Sequence, residues 1–150
     1  MKILKEISLV LIVSVLFLSC STNSNVNADN CDTVCEYSLA AGETAGTAAT
    51  SIEGTYNLTF HFPQGNAPFT DGTTATFTLE NNILTVEIDG QECITIKNPR
   101  LTTAGSTEIQ FRDTCRDQLS YDVSMTATGE LNEINLSAID GTWLGQFNDH

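Results

Sequence analysis

The sequence predicts an all-β domain, an antiparallel eight-stranded meander barrel or a β-sandwich, behind a polar N-terminal segment. Three observations lead there. From residue 54 onward apolar and polar residues alternate with a period of two, as in strands with one buried face. The alternating runs are separated by short turn sequences, Asn81-Asn82, Asp89-Gly90 and Asp140-Gly141, the first two of residues that accept the positive φ of tight hairpins. No ten-residue stretch here has the period of an amphipathic helix, and the long crossovers that parallel strands need are absent.

The strands follow in order. Residues 54–62 (GTYNLTFHF) place Tyr56, Leu58, Phe60 and Phe62 on one face and Thr55, Asn57, Thr59 and His61 on the other. Residues 74–79 turn Ala75, Phe77 and Leu79 inward, and residues 83–88 turn Leu84, Val86 and Ile88 inward. Ile94 and Ile96 carry 93–97, and Ile109 and Phe111 carry 107–112. Leu119, Tyr121, Val123 and Met125 line one face of 119–125, and Ile134, Leu136 and Ala138 one face of 132–138. The last strand, 142–147, sets Trp143 and Phe147 against Leu144.

Gly54-Thr55-Tyr56 and Gly141-Thr142-Trp143 read as the starts of neighbouring strands that close the sheet. A Gly-x-Tyr or Gly-x-Trp start before a long first loop, here Pro63 to Gly72, resembles lipocalin-like proteins. Eight strands enclose an interior just wide enough for side chains or one small ligand. The bulk of Phe60, Phe77, Phe111, Tyr121 and Trp143 favours a filled interior. Thr, Asn, Asp and Glu on the outward faces exclude a barrel that spans a membrane.

The N-terminus sets the expected location. Lys2 and Lys5 precede an apolar run from Ile7 to Leu18. Twelve helical residues rise about 18 Å, short of a bilayer core of about 30 Å, so the run reads as a secretion signal over residues 1–19. Ser19 before Cys20 resembles the lipobox of bacterial lipoproteins, which implies acylation of Cys20 and a membrane anchor. Ser21, in place of an aspartate, implies the outer membrane by the same resemblance. Residues 20–50 are rich in Ser, Thr, Asn, Ala and Gly and read as a flexible tether to a module over 51–150. Within the tether, Asp32-Thr33-Val34 resembles the O-glycosylation motif of Bacteroidetes, which implies Thr33 as the acceptor.

Four cysteines remain besides Cys20, an even number suited to two disulfides in an oxidising compartment. Sequence proximity favours Cys31–Cys35, and the ends of neighbouring strands favour Cys93–Cys115. The second pair needs a bulge or turn at Asp113-Thr114 to bring its side chains into phase.

The chain carries a net charge of −13, and loss of residues 1–19 removes two lysines and one glutamate, leaving −14. Such a field repels nucleic acid. The four remaining basic residues, Lys97, Arg100, Arg112 and Arg116, fall within twenty positions. Local salt bridges to Asp113 and Asp117 are the simpler expectation, and a small anion-binding patch the sharper one. No Gly-x-Ser-x-Gly, His-Glu-x-x-His or phosphate loop occurs, and His61 and His150 have no nucleophile beside them in sequence. Neither catalysis, nor a metal, nor a cofactor is expected. The sequence therefore points to an outer-membrane lipoprotein whose β module binds a small ligand or an envelope protein. The alternatives are a structural or interaction lipoprotein with a filled core and an inhibitor-like or adhesive accessory.

Overall fold

The structure, a computed structural model, describes residues 31–150. Cys20 and the signal segment lie outside the described residues. All eight expected strands form: β2 (Gly54–His61), β3 (Thr74–Glu80), β4 (Ile83–Ile88), β5 (Ile94–Lys97), β7 (Ile109–Asp113), β8 (Leu119–Met125), β9 (Leu131–Ala138) and β10 (Trp143–Asn148). Two further short strands join them, β1 (Thr33–Glu36) and β6 (Arg100–Leu101).

The ten strands form one sheet in the order β1-β5-β4-β3-β2-β10-β9-β8-β7-β6. From β5 to β6 every pair is antiparallel, as short connections require. The anticipated junction of first and last strands is present, with Phe60 opposite Phe147 and His61 opposite Gln146. The sheet does not close into a barrel, however. Its edges are β6 and β1, and β1 runs parallel to β5. A parallel neighbour is feasible because nearly sixty residues separate β1 from β5 in the chain.

The pleat sends alternate residues of most strands into one core. Phe60, Phe77, Phe111, Tyr121 and Phe147 are fully buried, and Phe69 from the long β2–β3 loop packs among them. Phe147 lies 4.9 Å from both Phe60 and Phe77, centroid to centroid, and 5.8 Å from Phe69. Aromatic side chains thus fill the interior where β2 meets β10.

Turn chemistry matches the expectation at Asn81 and Asn82, with φ of 52° and 62° between the paired Glu80 and Ile83. Asp89-Gly90 opens a longer loop than a tight hairpin, because β5 begins only at Ile94.

Two inward assignments fail. Phe62 has φ of 57°, which ends the alternation and leaves its ring 60% exposed. Trp143 is 40% exposed because a register shift between Trp143 and Gly145 lets Leu144 and Phe147 both turn inward.

The largest correction concerns residues 31–50. The stretch expected as a flexible tether holds β1, and its cysteines reach into the sheet. The disulfides are Cys31–Cys93 and Cys35–Cys115, with Cα–Cα distances of 5.2 and 5.7 Å, in place of Cys31–Cys35 and Cys93–Cys115. The turn anticipated at Asp113-Thr114 does follow β7, and it presents Cys115 to the buried Cys35. The Asp113 carboxylate caps that turn by accepting the Cys115 and Arg116 amides at 3.1 and 2.8 Å.

Two measurements check this fold. Non-reducing peptide mapping is expected to recover Cys31 linked to Cys93 and Cys35 linked to Cys115, and a Cys93–Cys115 peptide would refute the arrangement. At Gly145, φ is 146° and an added Cβ would run into the Phe60 ring and within 2.9 Å of the His61 carbonyl. Gly145→Ala is expected to cost about 1–3 kcal/mol by overpacking alone. Gly105→Ala also has positive φ but open space, so it isolates the backbone contribution. Equal melting temperatures for the two variants would contradict the close packing at Gly145.

Candidate functional site

The chain from Cys31 to Ile52 forms a strap along the open seam, and beyond β1 and the two cysteines its contacts continue from Tyr37. The Tyr37 amide donates to the Lys97 carbonyl at 3.4 Å, continuing the line of β1 beside β5. Further on, the Leu101 amide donates to Thr44 O at 2.9 Å and the Gly46 amide to Pro99 O at 2.8 Å. The strap therefore touches both edges of the sheet.

Glu43 is the electrostatic centre of this seam. Its Oε2 accepts the Tyr37 hydroxyl at 2.6 Å and the Ala40 amide at 2.8 Å. Its Oε1 lies 3.2 Å from Arg100 Nη1 and 3.3 Å from Arg112 Nη1. The Arg112 guanidinium also stacks 5.3 Å above the Tyr37 ring. Gln110 Oε1 accepts Nε of both arginines, at 2.6 and 2.8 Å, and its amide group donates to Asp122. The Tyr37 hydroxyl bond, then the Ala40 amide, then the two arginines hold the Glu43 carboxyl below its ordinary value. Burial comes first at Asp122 and pushes its carboxyl up, against the pull of Gln110.

These contacts decide the fate of the expected cationic patch. Arg100 and Arg112 do meet, but around a carboxylate of the same chain. Lys97 pairs with Glu36 at 3.0 Å. Arg116 pairs with Asp117 at 2.6 Å and lies 3.7 Å from Asp113. The four cations are divided among internal ion pairs and do not form one open anion site. Glu43 itself escaped the sequence reading. Its signal was a single carboxylate in AAGETAGTAAT, a stretch otherwise of small and hydroxyl residues.

Thr33 lies in β1, half-buried and opposite Ile94. It borders a surface groove of about 730 Å³ at the end of β2, β3 and β4. Asp32, Glu87, Asp89 and Glu92 make the groove acidic, and hydroxyls of Thr59, Thr74 and Thr76 line it. Thr74 Oγ1 donates to Asp89 Oδ2 at 2.5 Å and Thr76 Oγ1 to Asn57 Oδ1 at 2.9 Å. Among the described residues no three metal-ligating side chains converge. His61 faces Asp71 at 3.3 Å on the exposed outer surface.

No family model, curated protein or solved structure matches the chain.

The charge arrangement at Glu43 predicts a specific pH dependence. A carboxylate with a lowered folded pKa stabilises the fold fully above its ordinary value, here 4.5, and that contribution disappears as pH falls through the folded value. Glu43→Gln is expected to lose about 1 kcal/mol at neutral pH, allowing for partial solvent screening. The difference from the parent should shrink in urea unfolding as pH is lowered below the ordinary carboxylate value of 4.5 and through the lowered folded value, where Glu43 takes up its proton. A difference that stays constant from neutral to acid pH would show that Glu43 does not act as a charged partner.

Proposed function

We propose that this protein is a non-catalytic lipoprotein of the cell envelope, anchored to the outer membrane through Cys20, whose β module binds a ligand or partner on its outer surface. The reading rests on the signal-like start and the Ser19-Cys20 junction. One structural observation directs binding outward: Phe60, Phe69, Phe77, Phe147 and Tyr121 occupy the interior that a lipocalin-like ligand would need. The acidic groove beside Asp32, Asp89 and Glu92 suits a partner that brings cationic or hydroxyl groups. The packed interior equally favours a second reading, a structural or interaction lipoprotein that carries no small ligand.

One fractionation tests the anchor and one measurement separates the two readings. The parent chain is expected in the membrane fraction, and Cys20→Ala in the soluble fraction or unprocessed. A Cys20→Ala chain that is processed and still membrane-bound sinks the lipoprotein assignment. Native mass spectrometry of protein from its own host should show no small molecule held inside. A retained small molecule that survives the Asp89→Lys change in the groove would argue for an interior site and against outward binding.

A further inference from the structure

We propose that the outer face of β8, β9, β10 and β2 is a binding platform for neutral oligosaccharide, centred on Trp143. The inference deepens the surface-binding reading above and does not use the acidic groove. It begins with a row of side chains that the sheet register places side by side. Asp122 on β8 is opposite Asn135 on β9, Asn135 is opposite Gln146 on β10, and Gln146 is opposite His61 on β2. Their inward-turned neighbours Tyr121, Ile134, Phe147 and Phe60 are buried, so all four row members belong to the outer face. A carboxylate, two amides and an imidazole thus form a line of hydrogen-bonding groups. Four strands at about 4.8 Å spacing span about 14 Å, the reach of a short oligosaccharide.

Two exposed aromatic rings accompany this row. Trp143 is 40% exposed, and its Nε1–H donates to Asn135 Oδ1 at 3.1 Å, which fixes the indole beside the row instead of leaving it to rotate. Phe62 is 60% exposed and sits next to His61, their ring centroids 6.1 Å apart. Both rings escape the core for backbone reasons, the register shift before Gly145 and the positive φ of Phe62. A bulky side chain at positive φ is uncommon and associates with functional positions.

The chemistry selects among occupants. Sugar rings present apolar C–H faces that stack on aromatic rings and hydroxyls that both donate and accept hydrogen bonds. The Gln146 amide offers a free donor and acceptor, while Asn135 donates to Glu133 at 2.9 Å and accepts from Trp143, and Asp122 accepts from Gln110 and Ser137, so these two contribute only remaining lone pairs. These four positions include no lysine or arginine, Arg100 further along the same register is paired with Glu43, and the chain's net charge of −13 opposes phosphate, sulfate and anionic lipid. A purely apolar partner would desolvate the Gln146 amide, which has no side-chain partner among the described residues, and further bury the Asp122 carboxylate. An uncharged polyol satisfies both the rings and the row.

Trp143 is the single tryptophan, so its emission reports on this face alone. The full chain, held in a detergent without a sugar headgroup, would be titrated with neutral oligosaccharides of the β-glucan, α-glucan, xylan, mannan and chitin types. At least one should give a saturable change in emission with half-saturation at about 1 mM or below. By calorimetry, Trp143→Ala should weaken that binding about tenfold or more and Phe62→Ala several-fold, while Trp143→Phe, which keeps a ring, retains part of it. Circular dichroism of each variant shows whether the fold is intact. Binding that survives Trp143→Ala unchanged would place the sugar elsewhere. A panel without any saturable response overturns the platform, as does a response only to phospholipid vesicles. Neither result bears on the membrane anchor or on the acidic groove, which the fractionation and the groove variant test separately.

Discussion

A curled sheet that does not close must have its two edges held together, and this module depends on how that is done. β1 pairs with β5 at one edge and β6 with β7 at the other. The edges are joined by Cys35–Cys115, by Glu43 between Arg100 and Arg112, and by backbone bonds from Thr44 and Gly46 to the β6 region. On the chain-entropy view a disulfide closing 80 residues contributes between about 3 and 5 kcal/mol. Domains of this size are stable by only about 5–15 kcal/mol in total, so the seam decides whether the core stays covered. Ile94, Ile109 and Phe111, on the strands that flank it, are the apolar residues at stake.

The same seam governs surface electrostatics. Among the described residues, Lys97, Arg100, Arg112 and Arg116 are drawn into pairs with Glu36, Glu43, Asp113 and Asp117. The remaining carboxylates face solvent, including the four around the groove. Negative charge on the body and positive charge at the joints is therefore a division of labour within one chain: cations hold it shut, anions keep it dispersed. The Asp122 carboxylate stands apart because burial works against its charge, and Gln110 and Ser137 compensate only in part.

Much of this fold was legible in the sequence, and the failures share a physical cause. Period-two alternation located the eight main strands because each buries one face against a common core. The pairing of β2 with β10 was anticipated, but the two strands meet antiparallel through His61 and Gln146, so the Gly-Thr-aromatic starts lie apart and do not close the sheet. The strap was not anticipated, because small residues in AAGETAGTAAT were read as unable to pack. Small size is what the strap requires: a Cβ at Gly46 would come within 2.9 Å of the Arg100 backbone and 3.1 Å of Ile109 Cγ2. Smallness here serves close approach, and composition alone does not separate that from looseness. The disulfide pairing was misread for a related reason, since nearness in sequence says little once a strand crosses to a distant partner. Among site residues, the expected cationic patch resolved into separate pairs, and Trp143 moved outward because a bulge broke the phase on which its assignment rested.

The two disulfides also change what a single break in the backbone can do. The covalent loops 31–93 and 35–115 overlap, so any one cut between Cys31 and Cys115 leaves both fragments tied by at least one sulfur bridge. The long loop after β2, which carries Phe69 into the core, lies inside both loops. A protease that nicks it releases no piece, and the cut ends stay at high effective concentration beside each other. Resistance to a nick is thus a matter of where the bridges span as well as how firmly the sheet is packed.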